Sequence, residues 1–592
     1  MFKSRYHIFL SLLAVTLISG EILDRGWWNH TVFYQIYPRS FMDSDDDGVG
    51  DLKGITNKLE HFVTSGVGAI WLSPINRSPM VDFGYDISDF KDVDKIFGTM
   101  TDFENLLTRA KALGLRIILD LVPNHTSDEH YWFKESINRT GKYEHYYIWA
   151  DGKGKLPPNN WLSVFGGSAW EYNSIRNQWY LHQFHKKQPD LNYTNPEVQE
   201  EMKETILYWL RKGVDGFRVD AVPHLFETNY TLDEPTSGIE DDYEYDSLNH
   251  IFTTDQPETY NLVLSWRKIL DEYAYQHNTS EKVMLIEAYA TLENTIKYYN
   301  YGSIPFNFYF ITNATDASDA SVFKDIIESW MKAIPKGSIA NWVMGNHDRN
   351  RTASRFPGMA DQMTMLAMIL PGVAVTYYGE EIGMVDKTDI TWEETQDPLA
   401  CNAGREKYQS RSRDPVRTPF QWHFQRNAGF SNANKTWLPI HENYTITNLI
   451  VEQYQNESHY KVYRALTTLR NTSDALKFGS LSVDVINNNI LYILRKTSEE
   501  AVTLLINFSK DKQGKVDLTR VLTGFKNGVI KVASVGSKLR QNQTVELNNI
   551  SIPPKVSIVF QAYPSSKAPA EYVASLQTII LALSFLIITL YK

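Results

Sequence analysis

The sequence predicts an α/β fold: a (β/α)8 TIM barrel with an inserted loop-rich subdomain after strand 3 and a C-terminal antiparallel β-sandwich. Three observations predict it. From Thr31 onward, eight short runs rich in β-branched and aromatic residues alternate with longer helical patterns, as βα units around a parallel sheet do. The connection after the third run, from about His125 to Thr194, is a long aromatic, Gly- and Asn-rich stretch, too long for a plain loop in a compact domain. Beyond residue 475 the pattern changes to closely spaced short strands, which suit a sandwich.

The eight strand candidates are Thr31 to Tyr37, Val67 to Ser73, Leu115 to Val122, Val214 to Ala221, Val283 to Ala288, Ile304 to Phe310, Ile339 to Gly345 and Val373 to Tyr378. Two helices between them carry clear start signals. Thr101 and Glu104 read as a capping box ahead of Phe103, Leu106, Leu107, Ala110 and Leu113. Asn195 and Pro196 cap a second, with Val198, Met202, Ile206, Trp209 and Leu210 on its inward face. A last barrel helix is expected near Tyr460 to Asn471, and sandwich strands at Ile490 to Leu494, Val502 to Asn507, Val529 to Val532 and Val556 to Phe560. The chain then divides into a barrel at 21–124 and 195–475, an inserted subdomain at 125–194 and a C-terminal domain at 476–562.

With 592 residues, 43% hydrophobic and 22% charged, the chain can bury a large core and is not disordered. A formal net charge of −11 argues against nucleic acid as a partner, since such binding rests on clustered Lys and Arg. Lys3 and Arg5, the apolar run Ile8 to Ile18 and the small pair Ser19 and Gly20 form the three-part pattern of a secretory signal peptide over residues 1–20. The other end, 563–592, places small Ser565 and Ser566, a polar spacer and the apolar run Thr578 to Tyr591 in the order of a glycosylphosphatidylinositol (GPI) anchor signal. Sequons at Asn138, Asn278, Asn443 and Asn471 suit an exported glycoprotein. Cys401 is the single cysteine, so no intrachain disulfide supports the fold.

Unusual polar residues gather at the C-terminal ends of the strand candidates, where barrels of this kind do their chemistry. GFRVDAVPH, residues 216–224, sets Arg218 and Asp220 two apart, on one face of a strand. Such a pair is more often structural when it stands alone, but here DLVPNH ends in Asn124 and His125, IEAY contains Glu287 and GNHD contains His347 and Asp348. A carboxylate kept charged by Arg218 and a second one behind the apolar pair Leu285 and Ile286, raised by burial, are what glycoside hydrolysis requires. The acidic run DSDDDGVGD, residues 43–51, has the oxygen-rich character of a hard-cation site, although a solvated acidic loop is the commoner outcome of such a run.

The motifs DLVPNH, QPDLN at 188–192, GFRVDAVPH, IEAY and GNHD, in that order, resemble the signature regions of the α-amylase family of retaining glycoside hydrolases, and QPDLN resembles its α-glucosidase branch, insect maltases in particular. The resemblance covers roughly residues 21–560. It implies that Asp220 is the nucleophile, Glu287 the proton donor and Asp348 the transition-state stabiliser, with His125, His347 and Arg218 around the same glucosyl unit. It also implies a clamp on the non-reducing end formed by Tyr85, Asp86 and an arginine of SRDPVRTPFQW, Arg413 in preference to Arg417. Ala221, after the nucleophile, resembles the small residue of members that prefer α-1,4 links. The first loop then reads as a structural calcium (Ca2+) site of Asp43, Asp45, Asp47, Asp51 and the Val49 carbonyl, with no organic cofactor. The expected activity is exo-hydrolysis of maltose, sucrose and short oligosaccharides on the outer face of a gut cell membrane, through the lipid anchor. Other readings on the same scaffold are a docking receptor for a bacterial toxin ligand and a transporter heavy-chain-like non-enzyme; a homodimer is a further expected partner state.

Overall fold

The computed structural model describes residues 22–241 and 243–565. The expected signal peptide, and all but the first three residues of the expected anchor signal, lie outside them. Among the described residues, no helix is long and apolar enough to cross a membrane.

Eight strands form one all-parallel sheet: β1 (Val32–Ile36), β2 (Ala69–Leu72), β3 (Arg116–Leu121), β4 (Gly216–Val219), β5 (Val283–Ile286), β6 (Ile304–Pro305), β7 (Asn341–Val343) and β8 (Val373–Tyr377). β1 to β6 pair in sequence, β7 pairs with β8 and β8 with β1, and a single parallel bridge from Asn307 to Trp342 joins the remaining edges after β6 and at β7 and closes the barrel. Alternation along the strands sorts the side chains. Phe33, Ala69, Trp71, Ile118, Leu285, Val343 and Val375 fill the barrel, while Val32, Tyr34, Ile70, Leu119, Val219 and Ile286 join the larger core outside it. The inward series continues upward as Asp120, Arg218 and Asp220, and the Arg218 guanidinium carbon lies 5.0 Å from the centroid of the Trp71 ring. The apolar filling thus ends in a polar layer at the barrel mouth. Gly216, at φ 155°, is where β4 passes so close to β5 that an added Cβ would lie 2.2 Å from the Val283 carbonyl oxygen.

Helix α1 (Met100–Ala112) starts two residues before the expected capping box: Thr99 and Asp102 satisfy each other's backbone N–H groups, while Glu104 sits inside the helix and bonds Lys212. Helix α2 (Pro196–Lys212) starts as expected on Asn195, whose side chain accepts from the Glu197 N–H. The sixth strand is shorter than its sequence suggests, because the Asn307 side chain accepts the Tyr309 N–H and turns the chain into a short helix, Tyr309–Thr312.

Between β3 and β4 the chain builds a three-stranded sheet of Trp149–Ala150, Gln178–Leu181 and Trp170–Asn173 over a small core of Ile148, Trp161, Trp170 and Leu181. A bridge between His125 and Asp190 brings the start and end of this insertion together at the barrel mouth. After the barrel comes a six-stranded antiparallel sheet, backed by the short pair Gly514–Val516 and Ile550–Ile552. Its edge strand Ser480–Ile486 was not anticipated, since its residues are only half buried. Two buried arginines, Arg470 from the last barrel helix and Arg495 from this sheet, converge on the end of helix α3 (Ala360–Ile369), and Arg495 ties the sheet to the barrel. Arg470 donates to the carbonyls of Met368, Leu370 and Gly372, and Arg495 to that of Ile369, which satisfies acceptors that a helix end leaves open.

Candidate active site

The register of β3 against β4 sets Asp120 opposite Arg218. Arg218 becomes the hub of the mouth: Nη1 lies 2.8 Å from Asp120 Oδ1 and 2.5 Å from Asp220 Oδ1, and Nη2 lies 2.8 Å from Glu287 Oε1. All four side chains are buried. Ala221 follows in the left-handed region, φ 48° and ψ 33°, and this turn aims its N–H at Glu287 Oε2, 3.0 Å away. Asp220 and Glu287 are therefore held side by side by one planar cation and one backbone donor.

Burial pushes the Asp220 carboxyl well above the usual range; the pull of Arg218 opposes this, while the negative charges of Glu287 and Asp120 add to it. The sequence reading kept Glu287 neutral and Asp220 charged. Asp220 does not have Arg218 to itself, since the same guanidinium also holds Asp120 and Glu287. Burial lifts Asp120 as well, to about 6, against the pull of Arg218. Asp348 behaves in the opposite way: burial would raise it, but His347, Arg413, Arg417 and Arg218 outweigh burial and hold it well below the usual range. Its Oδ1 lies 3.0 Å from Arg417 Nη2 and 3.3 Å from Arg413 Nη1.

Tyr85 and His347 meet across the mouth as parallel rings 5.3 Å apart, and the Tyr85 hydroxyl reaches His347 Nε2 at 2.8 Å and Asp120 Oδ2 at 3.1 Å. His125 Nε2 lies 3.2 Å from the Tyr85 carbonyl and 3.2 Å from Gln188 Nε2 of QPDLN. Burial lowers His125 to about 4 and His347 to about 3, so both rings are neutral at ordinary pH.

Asp86 does not face Arg413. Its carboxylate accepts the N–H groups of Val81 and Asp82 at 2.8 and 2.9 Å, and burial raises it to about 6. The residue that pairs with Arg413 is Asp82, at 2.9 Å, backed by Gln188. Asp397, also absent from the sequence reading, holds the same guanidinium at 2.7 Å. Asp82 lies in the same DFGYD stretch as the expected residue. A turn in which the Tyr85 N–H donates to the Asp82 carbonyl, with φ 52° at Phe83 and 108° at Gly84, brings Asp82 and Tyr85 side by side and puts Asp86 underneath as their support.

In the first βα loop, Asp43, Asp45 and Asp51 offer oxygens that lie within 4.8 Å of one another. Burial and the charges of Asp47, Asp51 and Asp43 raise Asp45, a repulsion that a cation would offset. Asp47 is outside this converging group and turns Oδ1 to the Val49 N–H. Asp51 also caps the helix Leu52–Asn57 through the Gly54 N–H.

Clustered carboxyl groups of unequal proton affinity, set among neutral hydrogen-bonding rings at the top of a closed barrel, suit acid–base and nucleophilic work on an uncharged polyol, and this places the protein among the glycoside hydrolases. Residues 35–479 match the model of the alpha amylase catalytic domain, and the chain belongs to the α-amylase family. It is 47% identical over 549 residues to Maltase 1 of Drosophila virilis, covering 90% of this chain and 87% of that one. It is likewise 47% identical over 518 residues to an alpha-glucosidase of Apis mellifera, covering 85% and 90%. Among solved structures, an alpha-glucosyl transfer enzyme superposes with a TM-score of 0.79 at 33% identity, covering 90% of this chain and 99% of that one.

Proposed function

We propose that the protein is an extracellular, exo-acting, retaining α-glucosidase that releases terminal α-1,4-linked glucose from maltose, sucrose and short oligosaccharides. One observation carries the reading: a single guanidinium holds Asp220 and Glu287 at 2.5 and 2.8 Å. Two carboxyls bound to one planar cation sit close together, which favours the narrow separation of about 5–5.5 Å used by retaining enzymes over the wider gap that admits a water molecule. Asp220 attacks the anomeric carbon as the carboxylate while Glu287 gives its proton to the departing oxygen; Glu287 then takes a proton from water as the glucosyl ester is cleaved. Asp348, held ionised by Arg413 and Arg417, grips hydroxyls of the distorted ring. Tyr85, His125 and His347 line the same ring, and Asp82 with Arg413 closes the far end in the place first given to Asp86.

Asp43, Asp45 and Asp51 would hold a calcium ion, whose charge offsets their mutual repulsion and ties the loop to its helix. The signal at 1–20 and the apolar run Thr578 to Tyr591 support export and lipid anchoring, and release from cells by a phosphatidylinositol-specific phospholipase tests the anchor. The central test is hydrolysis of a panel of α-glucosides by the wild type and Asp220→Asn. The expected outcome is glucose released first as the α-anomer and a loss of at least about a thousandfold in the variant. Equal activity in the two proteins, or a first-formed β-anomer, sinks the assignment.

A further inference from the structure

The turn that presents Asp82 to Arg413 is strained. Its backbone enters the left-handed region at Met80 (φ 63°), Phe83 (φ 52°) and Gly84 (φ 108°), and only the glycine does so freely. Such a conformation persists in a bulky residue only where the surroundings over-determine it, and for Phe83 they are specific. Its buried ring lies 5.3 Å from the guanidinium carbon of Arg39 and 5.7 Å from that of Arg417, and the Trp437 ring meets it edge-on with centroids 5.3 Å apart. Arg417 is the arginine whose Nη2 reaches Asp348 at 3.0 Å, so the ring that fixes the turn also abuts the catalytic cluster.

Arg39 lies in the short helical turn Pro38–Ser40 after β1, and its guanidinium carbon also sits 4.8 Å from the centroid of the Trp437 ring. Among the described residues, its buried Nε and Nη1 have no hydrogen-bond partner. A guanidinium buried with unpaired nitrogens is costly, so hydrogen bonding does not account for a cation at this position, whereas two aromatic rings do. Both Arg39 and Trp437 are fixed from behind. The Gly50 N–H donates to the Arg39 carbonyl at 2.8 Å, the Trp437 N–H to the Gly48 carbonyl at 3.0 Å, and Trp437 Nε1 to Ser40 Oγ at 3.0 Å. The Ser40 hydroxyl donates in turn to the Arg417 carbonyl.

We propose that Arg39 is a positioning residue for sugar binding: with Trp437 it grips the Phe83 ring, and that grip holds the left-handed turn which keeps Asp82 2.9 Å from Arg413. The proposal rests on the α-glucosidase reading above. Arg39 acts through Asp82, and its loss lets the turn relax toward an ordinary backbone and draws Asp82 away from the guanidinium it faces. Contacts to the far end of the sugar hold the ground state and the transition state alike, so the effect falls on KM.

The test is a mutant cycle read by maltose kinetics with the full chain. Arg39→Gln removes the cation and raises KM about tenfold, the order that a desolvated cation–π contact is worth, while kcat stays within about twofold. Arg39→Lys, which keeps a cation over the rings, recovers most of that loss. In the Asp82→Asn background, Arg39→Gln raises KM by less than about twofold further, because the charge it serves to aim is already gone. A merely structural role gives the same factor in both backgrounds. Phe83→Leu, which keeps an apolar side chain but not the flat ring, shows the same non-additivity with Asp82→Asn and decides the matter if Arg39→Gln does not fold. Factors that multiply in the double variants, or a KM that Arg39→Gln and Phe83→Leu both leave unchanged, overturn the proposal. Either result with an active wild type refutes only this inference, whereas a wild type that releases no glucose from any α-glucoside refutes the functional reading and this one with it.

Discussion

At the residue scale, Arg413 pairs with Asp82 while Asp86 accepts the N–H groups of Val81 and Asp82. DFGYD offers two aspartates four positions apart, and which of them faces Arg413 depends on a tight turn that places the first beside Tyr85 and the second beneath it. The two are separable by kinetics. Asp82→Asn removes the charge opposite Arg413 and lowers kcat/KM by about 10- to 100-fold, as expected for loss of a charge-assisted hydrogen bond. Asp86→Asn keeps an acceptor oxygen for only one of the two loop N–H groups, leaves the charge opposite Arg413 in place and costs less than about tenfold; the reverse order of severity restores the original assignment. The histidines give a second prediction. Burial holds His125 at about 4 and His347 at about 3, so neither gains charge as the pH falls from 8 to 5. His347→Gln accordingly lowers the height of the pH profile of kcat/KM without moving its midpoints in that range, which belong to the coupled carboxyls.

At the scale of elements, the junction between the barrel and the terminal sheet is held by groups that respond to pH. On helix α4 (His459–Thr472), His459 Nδ1 lies 2.6 Å from Asp361 Oδ1, and Asp361 Oδ2 accepts the Val535 N–H from the terminal sheet at 2.8 Å. Burial would lower His459, but Asp361 outweighs it and raises the imidazole, so this pairing contributes most below the ordinary histidine value and is lost as the pH rises through the raised one. Glu452, which accepts the Tyr460 N–H, is raised by burial to about 7. The folded form binds its proton more tightly than the unfolded chain does, so its ionisation removes stability progressively between about pH 4.5 and 7. Both groups weaken the junction as pH rises. Glu452→Gln therefore raises the melting temperature at pH 8 more than at pH 5, and thermal unfolding at the two pH values checks it. Arg470→Met, which strips the donors from three carbonyls around the end of α3, costs about 2–4 kcal/mol of stability.

For the whole molecule, the calcium reading predicts that chelation lowers the melting temperature by a few degrees and that added calcium restores it, while Asp45→Asn abolishes the response. Much of the architecture was legible in the chain, because a βα unit must bury one face of each helix and both faces of each strand, and that requirement writes periodicity into the residues. Seven of the eight barrel strands could be read in this way. The sixth was drawn too long, since an asparagine side chain ended it early, and the half-exposed edge strand Ser480–Ile486 carried too weak an apolar signal to register. The motifs likewise named Asp220, Glu287 and Asp348, because strand ends place their side chains at a predictable level of the barrel. What the amino-acid order determined by itself was the set of elements and the identity of the carboxyls at the mouth, both being local consequences of period and spacing. Tertiary structure alone decided that three carboxylates share Arg218, that Asp82 and not Asp86 meets Arg413, and that Asp397 stands behind it. Those outcomes depend on distances between residues far apart in the chain, and on turn geometry, which local periodicity does not encode.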